Sequence, residues 1–272
     1  MPAADIDSSG IDADFALLKQ AVRDAGALAL SFYKGEFRTW TKGANDPVTE
    51  ADLEVNDLLH DRLLGARPGY GWLSEETEDD KSRLTASEFW IVDPIDGTRA
   101  FAKGRPHFSI SAALITGGRP VLGVVFNPAT DEFFEASRNG GAKLNGQTIH
   151  VGNRREVEGC TMVAHPPMFK HKAWPRAWPP MEFLERNSIA YRIVLVACGA
   201  ADAVIALSPK NDWDLAAAHL ILEEAGGRFT AHDGGEIRYD EPSTRQRSLL
   251  GANPVLHAEL MERTSVLELP PL

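Results

Sequence analysis

The chain has 272 residues, of which 43% are hydrophobic and 25% charged, and its formal net charge is −11. This composition is sufficient for a buried core in one large domain or two smaller ones, and it argues against extensive disorder. The acidic balance disfavours a nucleic-acid polymer or an anionic membrane as the main partner, because both require a basic surface.

The first half of the chain is predicted to contain two helices followed by strands. Apolar spacing predicts helices from Phe15 to about Gly35 and from Thr49 to about Leu64, and Thr49-x-x-Asp52 resembles a capping box at the start of the second. The predicted strands are Gly71–Ser74, Phe89–Val92, Phe108–Ile115, Val121–Phe126, Glu132–Ala136 and a short piece near Lys143. Because Gly-Gly, Asn-Pro and Asn-Gly separate the last four, these are expected to form an antiparallel meander.

After about Gly152, helices and strands alternate again. The predicted elements are a strand over Cys160–Ala164, a proline-interrupted helix over Lys172–Arg186, a strand over Ala203–Leu207, a helix over Asp214–Ala225 ended by Gly226, a strand over Ser248–Gly251 and a helix over Val255–Arg263. The apolar stretch Ile189–Ala197 fits either a strand or a helix.

Cellular location and cysteine chemistry follow from composition. The first twelve residues have no apolar core of the kind a signal peptide needs, and no run approaches the ~18 apolar residues of a membrane helix. The protein is therefore expected to be soluble and cytoplasmic. Cys160 and Cys198 lie in apolar stretches, which favours buried free thiols over a disulfide.

The segment Trp90–Arg99, WIVDPIDGTR, has the most specific chemistry. An apolar strand reaches Asp93, Pro94 is expected to stop its ladder, and Asp96 follows before Gly97-Thr98 opens a short helix. A helix N-terminus favours an anion, but two carboxylates would repel phosphate unless a cation lay between them. Hard oxygen ligands select Mg²⁺ or Mn²⁺. The segment predicts a metal-assisted phosphate site, with an ordinary Asp-Pro and Asp-Gly turn as the alternative.

Three other acidic segments accompany this motif: Asp46–Asp52 (DPVTEAD), Trp72–Thr77 (WLSEET) and Asp212–Ala218 (DWDLAAA). In order and spacing the four resemble the signature of the inositol monophosphatase superfamily of magnesium-dependent phosphatases, from about Phe15 to about Val266. The resemblance implies an α/β (α+β) fold, a layered αβαβα sandwich of two packed lobes, 1–152 and 153–272. The site is expected in the cleft between the lobes.

The resemblance also implies a set of metal ligands: Glu75, Asp93, the backbone carbonyl of Ile95, Asp96 and Asp214. They would hold two or three Mg²⁺ ions, for which Mn²⁺ could substitute. Asp93 and Asp96 flank one turn and could share a cation. Without the resemblance, a plain helix N-cap is the alternative interpretation of Asp214.

Catalytic roles follow from the same resemblance. It implies that Asp52 and Thr98 orient and deprotonate a water molecule, with Glu75 taking part in catalysis as well as in metal binding. The amides of Gly97 and Thr98 would hold phosphate oxygens. Lys42 matches a flexible loop that helps the third metal or the phosphate. Read alone, Asp52 is a helix-cap residue and Lys42 a solvated loop lysine.

The substrate is expected to be a small phosphorylated metabolite. Leu207 stands seven residues before Asp214, where inositol monophosphatases have a glutamate that binds a hydroxyl. Arg192 stands where 3′(2′),5′-bisphosphate nucleotidases have a lysine suited to a second phosphate. The sequence therefore favours a nucleotidase acting on 3′-phosphoadenosine 5′-phosphate, followed by an inositol-1-monophosphatase and then a histidinol-phosphate phosphatase. The nucleotidase pattern is incomplete, since Ala164–Pro167 replaces an Arg-Ser-His run.

Several interpretations remain open. The basic, aromatic stretch Lys170–Trp178 could stack a base or be an amphipathic helix with buried tryptophans. Arg192 also fits a generic surface arginine, and the residues from Glu76 to Asp80 a solvated acidic loop. A catalytically silent phosphate-ligand-binding regulatory protein is the alternative of another class, although no residue favours it. The resemblance further implies lithium inhibition and permits a homodimer.

Overall fold

The computed structural model describes residues 8–42, 46–172 and 174–272. Its α-helices are α1 (Ser8–Phe32), α2 (Glu50–Ala66), α3 (Thr98–Phe101), α4 (Ile189–Ala197), α5 (Asp212–Glu224) and α6 (Pro254–Thr264). Its strands are β1 (Thr39–Lys42), β2 (Asp46–Thr49), β3 (Gly71–Ser74), β4 (Glu88–Asp96), β5 (Ser109–Thr116), β6 (Arg119–Asn127), β7 (Glu132–Ser137), β8 (Gly141–Leu144), β9 (Gln147–Thr148), β10 (Thr161–Val163), β11 (Glu182–Phe183), β12 (Ala203–Ala206), β13 (Lys210–Asn211), β14 (Arg228–Thr230), β15 (Arg245–Gln246) and β16 (Leu249–Ala252). Short 3₁₀ turns cover Ser82–Leu84 and Pro166–Lys170.

The strands form two main sheets. The larger has the order β3-β4-β5-β6-β7-β8-β9, and all its pairs are antiparallel except β3 with β4. The meander predicted after Phe108 is thereby confirmed. The smaller sheet has the order β11-β10-β12-β16-β14 and mixes parallel and antiparallel pairs. Two hairpin-like pairs, β1 with β2 and β13 with β15, lie outside these sheets.

Helices and sheets alternate in five layers. Trp90 and Val92 of β4 pack with α1 and α2, whereas Phe89 and Ile91 of the same strand pack with α4 and α5. Successive side chains of a strand point to opposite faces, so a strand covered on both faces has to be continuously apolar. The smaller sheet covers the other side of α4 and α5, and α6 packs on its outer face. The predicted αβαβα sandwich is confirmed.

The strand at the central motif does not stop at Pro94, contrary to expectation. β4 continues to Asp96, and its register with β5 shifts between Asp93, opposite Ser111, and Asp96, opposite Ser109. Two residues of β4 therefore face one of β5, which is a β-bulge. A bulge accommodates the missing donor of proline and redirects the neighbouring side chains.

The helix predicted over Lys172–Arg186 is wrong. The described residues of this segment contain the short strand β11 and are otherwise irregular, and a 3₁₀ turn precedes the segment. Ala173 lies outside the described residues. Pro175, Pro179 and Pro180 each remove a donor and restrict the preceding residue. The ambiguous Ile189–Ala197 segment is the helix α4, whose N-cap Ser188 accepts a hydrogen bond from the Tyr191 amide.

Two predictions from composition can be compared with the fold. Both cysteines are free, Cys160 fully buried and Cys198 partly buried. Over the described ranges, no helix is both long and apolar enough to cross a membrane.

Candidate active site

A cavity of about 530 Å³ opens where β4, α4 and α5 meet. Its lining is mostly charged or polar and includes most of the predicted site residues. The lining residues are Pro47, Glu75, Asp93, Asp96, Gly97, Thr98, Arg99, Asn187, Arg192, Pro209, Lys210 and Asp214.

Three carboxylates converge in this cavity. Asp93, Asp96 and Asp214 each offer one oxygen, and these oxygens all lie within 4.8 Å of one another. Asp93 is 1% exposed, and its Oδ1 accepts a hydrogen bond from the Ile95 amide at 3.1 Å, within the β4 bulge. The bulge thus brings two aspartates from one strand to the same point.

Asp96 is fixed by the start of α4. Its Oδ2 accepts hydrogen bonds from the Ser188 hydroxyl at 2.5 Å and from the Ala190 amide at 2.6 Å. Ser188 caps α4 through the Tyr191 amide at 2.9 Å, so one hydroxyl links the helix to the carboxylate. Sequence analysis missed Ser188, although a serine directly before an apolar run is a helix-start signal.

Asp214 is held by its own helix. It is the third residue of α5, and its Oδ2 accepts a hydrogen bond from the Asn211 amide at 2.8 Å, as in a capping box. The capping and ligand interpretations of Asp214 are therefore compatible, because one oxygen serves the helix start and the side chain still reaches the cluster.

The carboxylates raise one another's pKa. Burial raises the pKa of Asp93 well above its usual range, and the charges of Glu75, Asp96 and Asp214 add to this. Burial also raises the pKa of Asp96, despite the hydrogen bond from Ser188, and the pKa of Asp214 to about 7. Buried like charges are costly unless a cation neutralises them, and an all-oxygen donor set suits Mg²⁺. The residues present therefore fit a divalent metal ion.

Thr98 and Asp52 meet at the edge of the cluster. The Thr98 hydroxyl lies 3.0 Å from Asp52 Oδ1 and 3.0 Å from the Ile95 carbonyl oxygen. The other oxygen of Asp52 accepts bonds from the Thr49 amide at 2.8 Å and the Thr49 hydroxyl at 2.5 Å. The predicted capping box is thus present, and the same carboxylate contacts Thr98. Burial raises the pKa of Asp52 to about 6, although bonds from Thr49 and Thr98 lower it.

Of the two predicted site residues Glu75 and Lys42, only Glu75 lines the cavity. Glu75 lines the cavity at the end of β3. Lys42 ends strand β1, and its ammonium pairs with Glu76, whose side chain is 4% exposed. Lys42 is absent from the cavity lining, and the residues after it, 43–45, lie outside the described ranges. The predicted solvated acidic loop is wrong for Glu76, and also for Asp79, which binds the buried Arg83.

Gly97 joins β4 to α3 in a conformation that favours glycine. Its φ is 98°, and a Cβ there would lie 2.8 Å from the His107 carbonyl oxygen and 3.3 Å from the Phe108 Cα. Only glycine fits both the backbone angle and the space. The turn between the aspartates and Thr98 is therefore tightly constrained.

Three cationic residues line the cavity together with the carboxylates: Arg99, Arg192 and Lys210. Arg192 of α4 donates from Nε to the Arg186 carbonyl at 2.6 Å, and its pKa is lowered by burial. Lys210, which sequence analysis did not single out, also lines the cavity, and burial lowers its pKa. Arg192 is therefore in the candidate site rather than on a generic surface.

Leu207 and Trp174 line a different cavity of about 450 Å³. Trp178 packs on Phe169 and the outer core of the smaller sheet, with ring centroids 4.9 Å apart. Trp174 and Trp178 contact each other and are both half-buried, and the described residues of this segment do not form the amphipathic helix of the second interpretation. No lining residue is common to the two described cavities.

Comparisons with known proteins agree with this architecture. The model of the inositol monophosphatase family matches residues 12–267. An inositol-1-monophosphatase of Rhizobium meliloti is 36% identical over 229 residues, covering 80% of this chain and 85% of the relative. The Nus factor SuhB of Pasteurella multocida is 31% identical over 226 residues, covering 79% and 84%.

Among solved structures, the Thermotoga maritima IMPase superposes with a TM-score of 0.79 at 29% identity, covering 93% of this chain and 96% of that one. The SuhB protein of Bartonella henselae gives 0.79 at 29%, covering 92% and 98%. Members of the family generally use Mg²⁺, which agrees with the donor set of the acidic cluster. The chain therefore belongs to the inositol monophosphatase family of phosphoric monoester hydrolases.

Proposed function

We propose that this phosphatase is a magnesium-dependent 3′(2′),5′-bisphosphate nucleotidase that hydrolyses 3′-phosphoadenosine 5′-phosphate in the cleft between lobes 1–152 and 153–272. The observation that supports it most is the position of Arg192, which lines the same cavity as the three converging carboxylates. A guanidinium next to a phosphate-hydrolysing centre suits a substrate with a second phosphate.

Glu75, Asp93, Asp96, Asp214 and the Ile95 carbonyl would hold two or three ions. Bound Mg²⁺ would lower the pKa of a water molecule and stabilise charge on the leaving oxygen. Thr98 would orient that water, since its hydroxyl contacts the carbonyl of Ile95, which is one of the proposed metal ligands. Asp52 would then receive the proton through Thr98. The amides of Gly97 and Thr98 would hold phosphate oxygens, and Lys42, which pairs with Glu76, would assist from the end of β1.

Asp52 is suited to this step. Its pKa of about 6 leaves it ionised at neutral pH while keeping it basic enough to accept a proton. Its second oxygen is anchored by Thr49, so the carboxylate holds its orientation without help from the substrate. The capping box thereby preorganises the proposed base.

An inositol-1-monophosphatase is the second candidate, and a specific observation favours it. Relatives at 36% and 34% identity are named inositol-1-monophosphatase. Against it, the side chain of Leu207 lines the second cavity and is apolar, so it supplies no hydroxyl contact in the cleft.

The test is magnesium-dependent phosphate release, compared by kcat/KM on 3′-phosphoadenosine 5′-phosphate, inositol 1-phosphate, histidinol phosphate and fructose 1,6-bisphosphate. We expect the nucleotide to be preferred by about tenfold to a hundredfold, since one lost charged contact costs about one to two decades. A preference for inositol phosphate would select the second candidate. No release from any substrate would indicate a silent ligand-binding protein. Lithium should inhibit if the metal assignment is correct.

A further inference from the structure

One buried arginine connects the segment after Glu75 to a distant part of the chain. The side chain of Arg83, in the 3₁₀ turn that follows β3, is 0% exposed. Its Nε and Nη2 atoms donate to Asp79 Oδ2 at 3.1 and 3.0 Å. Nη2 also donates to the Glu241 carbonyl at 3.0 Å, and Nη1 to the Tyr239 carbonyl at 3.4 Å. The guanidinium therefore contacts residues that lie 158 and 156 positions further along the chain.

The geometry of this contact permits little movement. A buried charge is costly unless it is paired and hydrogen-bonded, and here one carboxylate and two carbonyls accept from the guanidinium. The donors of this planar group point in fixed directions, so the acceptors on its two sides are held in one arrangement. Arg83 thereby fixes the loop after Glu75 against the segment from Tyr239 to Glu241.

The segment that the guanidinium contacts also holds the first turn of α5. Gln246 Nε2 donates to Asp212 Oδ1 at 2.7 Å and to the Arg238 carbonyl at 2.9 Å. The Asp212 amide donates to the Thr244 carbonyl at 2.8 Å. Residues 238–246 therefore link the guanidinium to this helix.

Glu75 and Asp214 reach the carboxylate cavity from the two parts that are linked in this way. Glu75 follows β3, and Asp214 lies in the first turn of α5. We propose that Arg83 is a positioning residue for the metal centre, which sets the position of Glu75 relative to Asp214 and thereby the affinity for divalent ions. This inference rests on the metal-dependent activity of the proposed function. Arg83 does not line the cavity, so it acts through the residues that it holds.

The test is a calorimetric titration of the protein with Mn²⁺, which requires neither substrate nor turnover. We expect Arg83→Met to weaken Mn²⁺ binding about tenfold, because residues that orient metal ligands contribute about ten- to a hundredfold to metal affinity. Arg83→Lys keeps the charge but loses the planar group, so it should not restore the wild-type affinity. Gln246→Ala breaks the next contact in the link and should weaken binding in the same direction.

Two results would overturn the proposal. The first is a folded Arg83→Met variant with the Mn²⁺ affinity of the wild type. If Arg83→Met does not fold, the second is wild-type affinity in both Arg83→Lys and Gln246→Ala.

Arg67→Met is the matched control for a general loss of stability. Arg67, at the end of α2, pairs with the buried Asp14 of α1 at 2.5 Å and does not line the cavity. This variant should lower the thermal midpoint without metal, as Arg83→Met does, but leave Mn²⁺ affinity unchanged. An equal loss of affinity in the two variants would mean that Arg83 has no specific positioning role.

The same titration separates this inference from the proposed function. If the wild type binds Mn²⁺ more tightly than Arg83→Met but releases phosphate from no substrate, only the proposed activity fails. If the wild type releases phosphate with Mg²⁺ and both proteins bind Mn²⁺ equally well, only the positioning role fails. Where phosphate is released, the Mg²⁺ concentration for half-maximal activity should rise in Arg83→Met by about the factor seen in the titration.

Discussion

Asp52 belongs to both the fold and the candidate site. One oxygen accepts the Thr49 bonds at the start of α2, and the other contacts the Thr98 hydroxyl. The sequence suggested the first role through a capping pattern, and the second only through family resemblance. A residue that caps a helix is rigid, which is what a proton acceptor near a reacting centre requires.

The pKa of Asp52 predicts the pH dependence of activity. A base must be ionised to accept a proton, so kcat/KM should rise with pH, with the midpoint of the rise at or below about pH 6. Bound cations favour the ionised form of Asp52 and lower its pKa, so they shift the rising part of the pH profile to lower pH, never to higher pH. The measurement is kcat/KM at saturating Mg²⁺ from about pH 4.5 to about pH 8. A limb centred above pH 7, or an Asp52→Asn variant with the wild-type profile, would remove Asp52 from this role.

At the scale of elements, the start of α4 couples a helix to the cluster. Ser188→Ala removes the cap and the bond to Asp96, so we expect a loss of about 1 kcal/mol of unfolding free energy. Asp96 would also be less well oriented, so the Mg²⁺ concentration for half-maximal activity should increase. Chemical denaturation and a magnesium titration measure the two effects.

The matched control for Ser188 is the N-cap of α6. Asn253 accepts bonds from the amides of Val255 and Leu256, at 3.0 Å each, and does not line the cavity. Asn253→Ala, which also removes a bond to the Arg154 carbonyl, should cost at least as much stability without changing the magnesium requirement. If both variants shift the magnesium requirement equally, the link from α4 to Asp96 is not specific.

The turn between β4 and α3 should tolerate only glycine. Gly97→Ala adds a Cβ 2.8 Å from the His107 carbonyl at a φ of 98°, so we expect a loss of more than about 1 kcal/mol of stability. Gly65→Ala in α2 is the contrast, because no atom lies within 4 Å of its Cβ and alanine favours a helix. Thermal unfolding of both variants checks this, and equal stability of Gly97→Ala and the wild type would contradict it.

Sequence pattern predicted elements whose signals are local. The capping box of α2, the meander from β5 to β8 and the Gly226 end of α5 depend on neighbouring residues and were predicted correctly. The bulge at Pro94 was not, because it depends on how β5 pairs across the sheet. The type of Ile189–Ala197 was equally undecidable, since a segment buried between two sheets is apolar on all sides.

At the scale of the whole molecule, the candidate site combines distant parts of the chain. The WIVDPIDGT motif and its companions identify the acidic residues because each lies in a recognisable local pattern. Ser188 enters through its bond to Asp96, 92 positions earlier in the chain, and Lys210 through its position in the cavity lining, and no local pattern encodes either. The cavity residues that such long-range packing brings in were therefore the least predictable part of the candidate site.

The cluster draws carboxylates from both halves of the chain, so metal binding should stabilise the whole fold. We expect Mg²⁺ to raise the thermal midpoint and a chelator to lower it, because the ion binds the folded state. In metal-free buffer, Asp93→Asn should be at least as stable as the wild type, since it removes one repelling charge. Scanning calorimetry with and without Mg²⁺ measures both. A wild-type midpoint independent of Mg²⁺ would indicate that the cluster does not bind it.

The most direct test is the initial rate of phosphate release from 3′-phosphoadenosine 5′-phosphate, with Mg²⁺ and with chelator, in the wild type and Asp93→Asn. The wild type should release phosphate only with Mg²⁺, and Asp93→Asn, although folded, should be slower by about a thousandfold or more. Near-normal kcat in Asp93→Asn at saturating Mg²⁺, or equal release with chelator, would contradict a metal-assisted phosphatase centred on Asp93, Asp96 and Asp214.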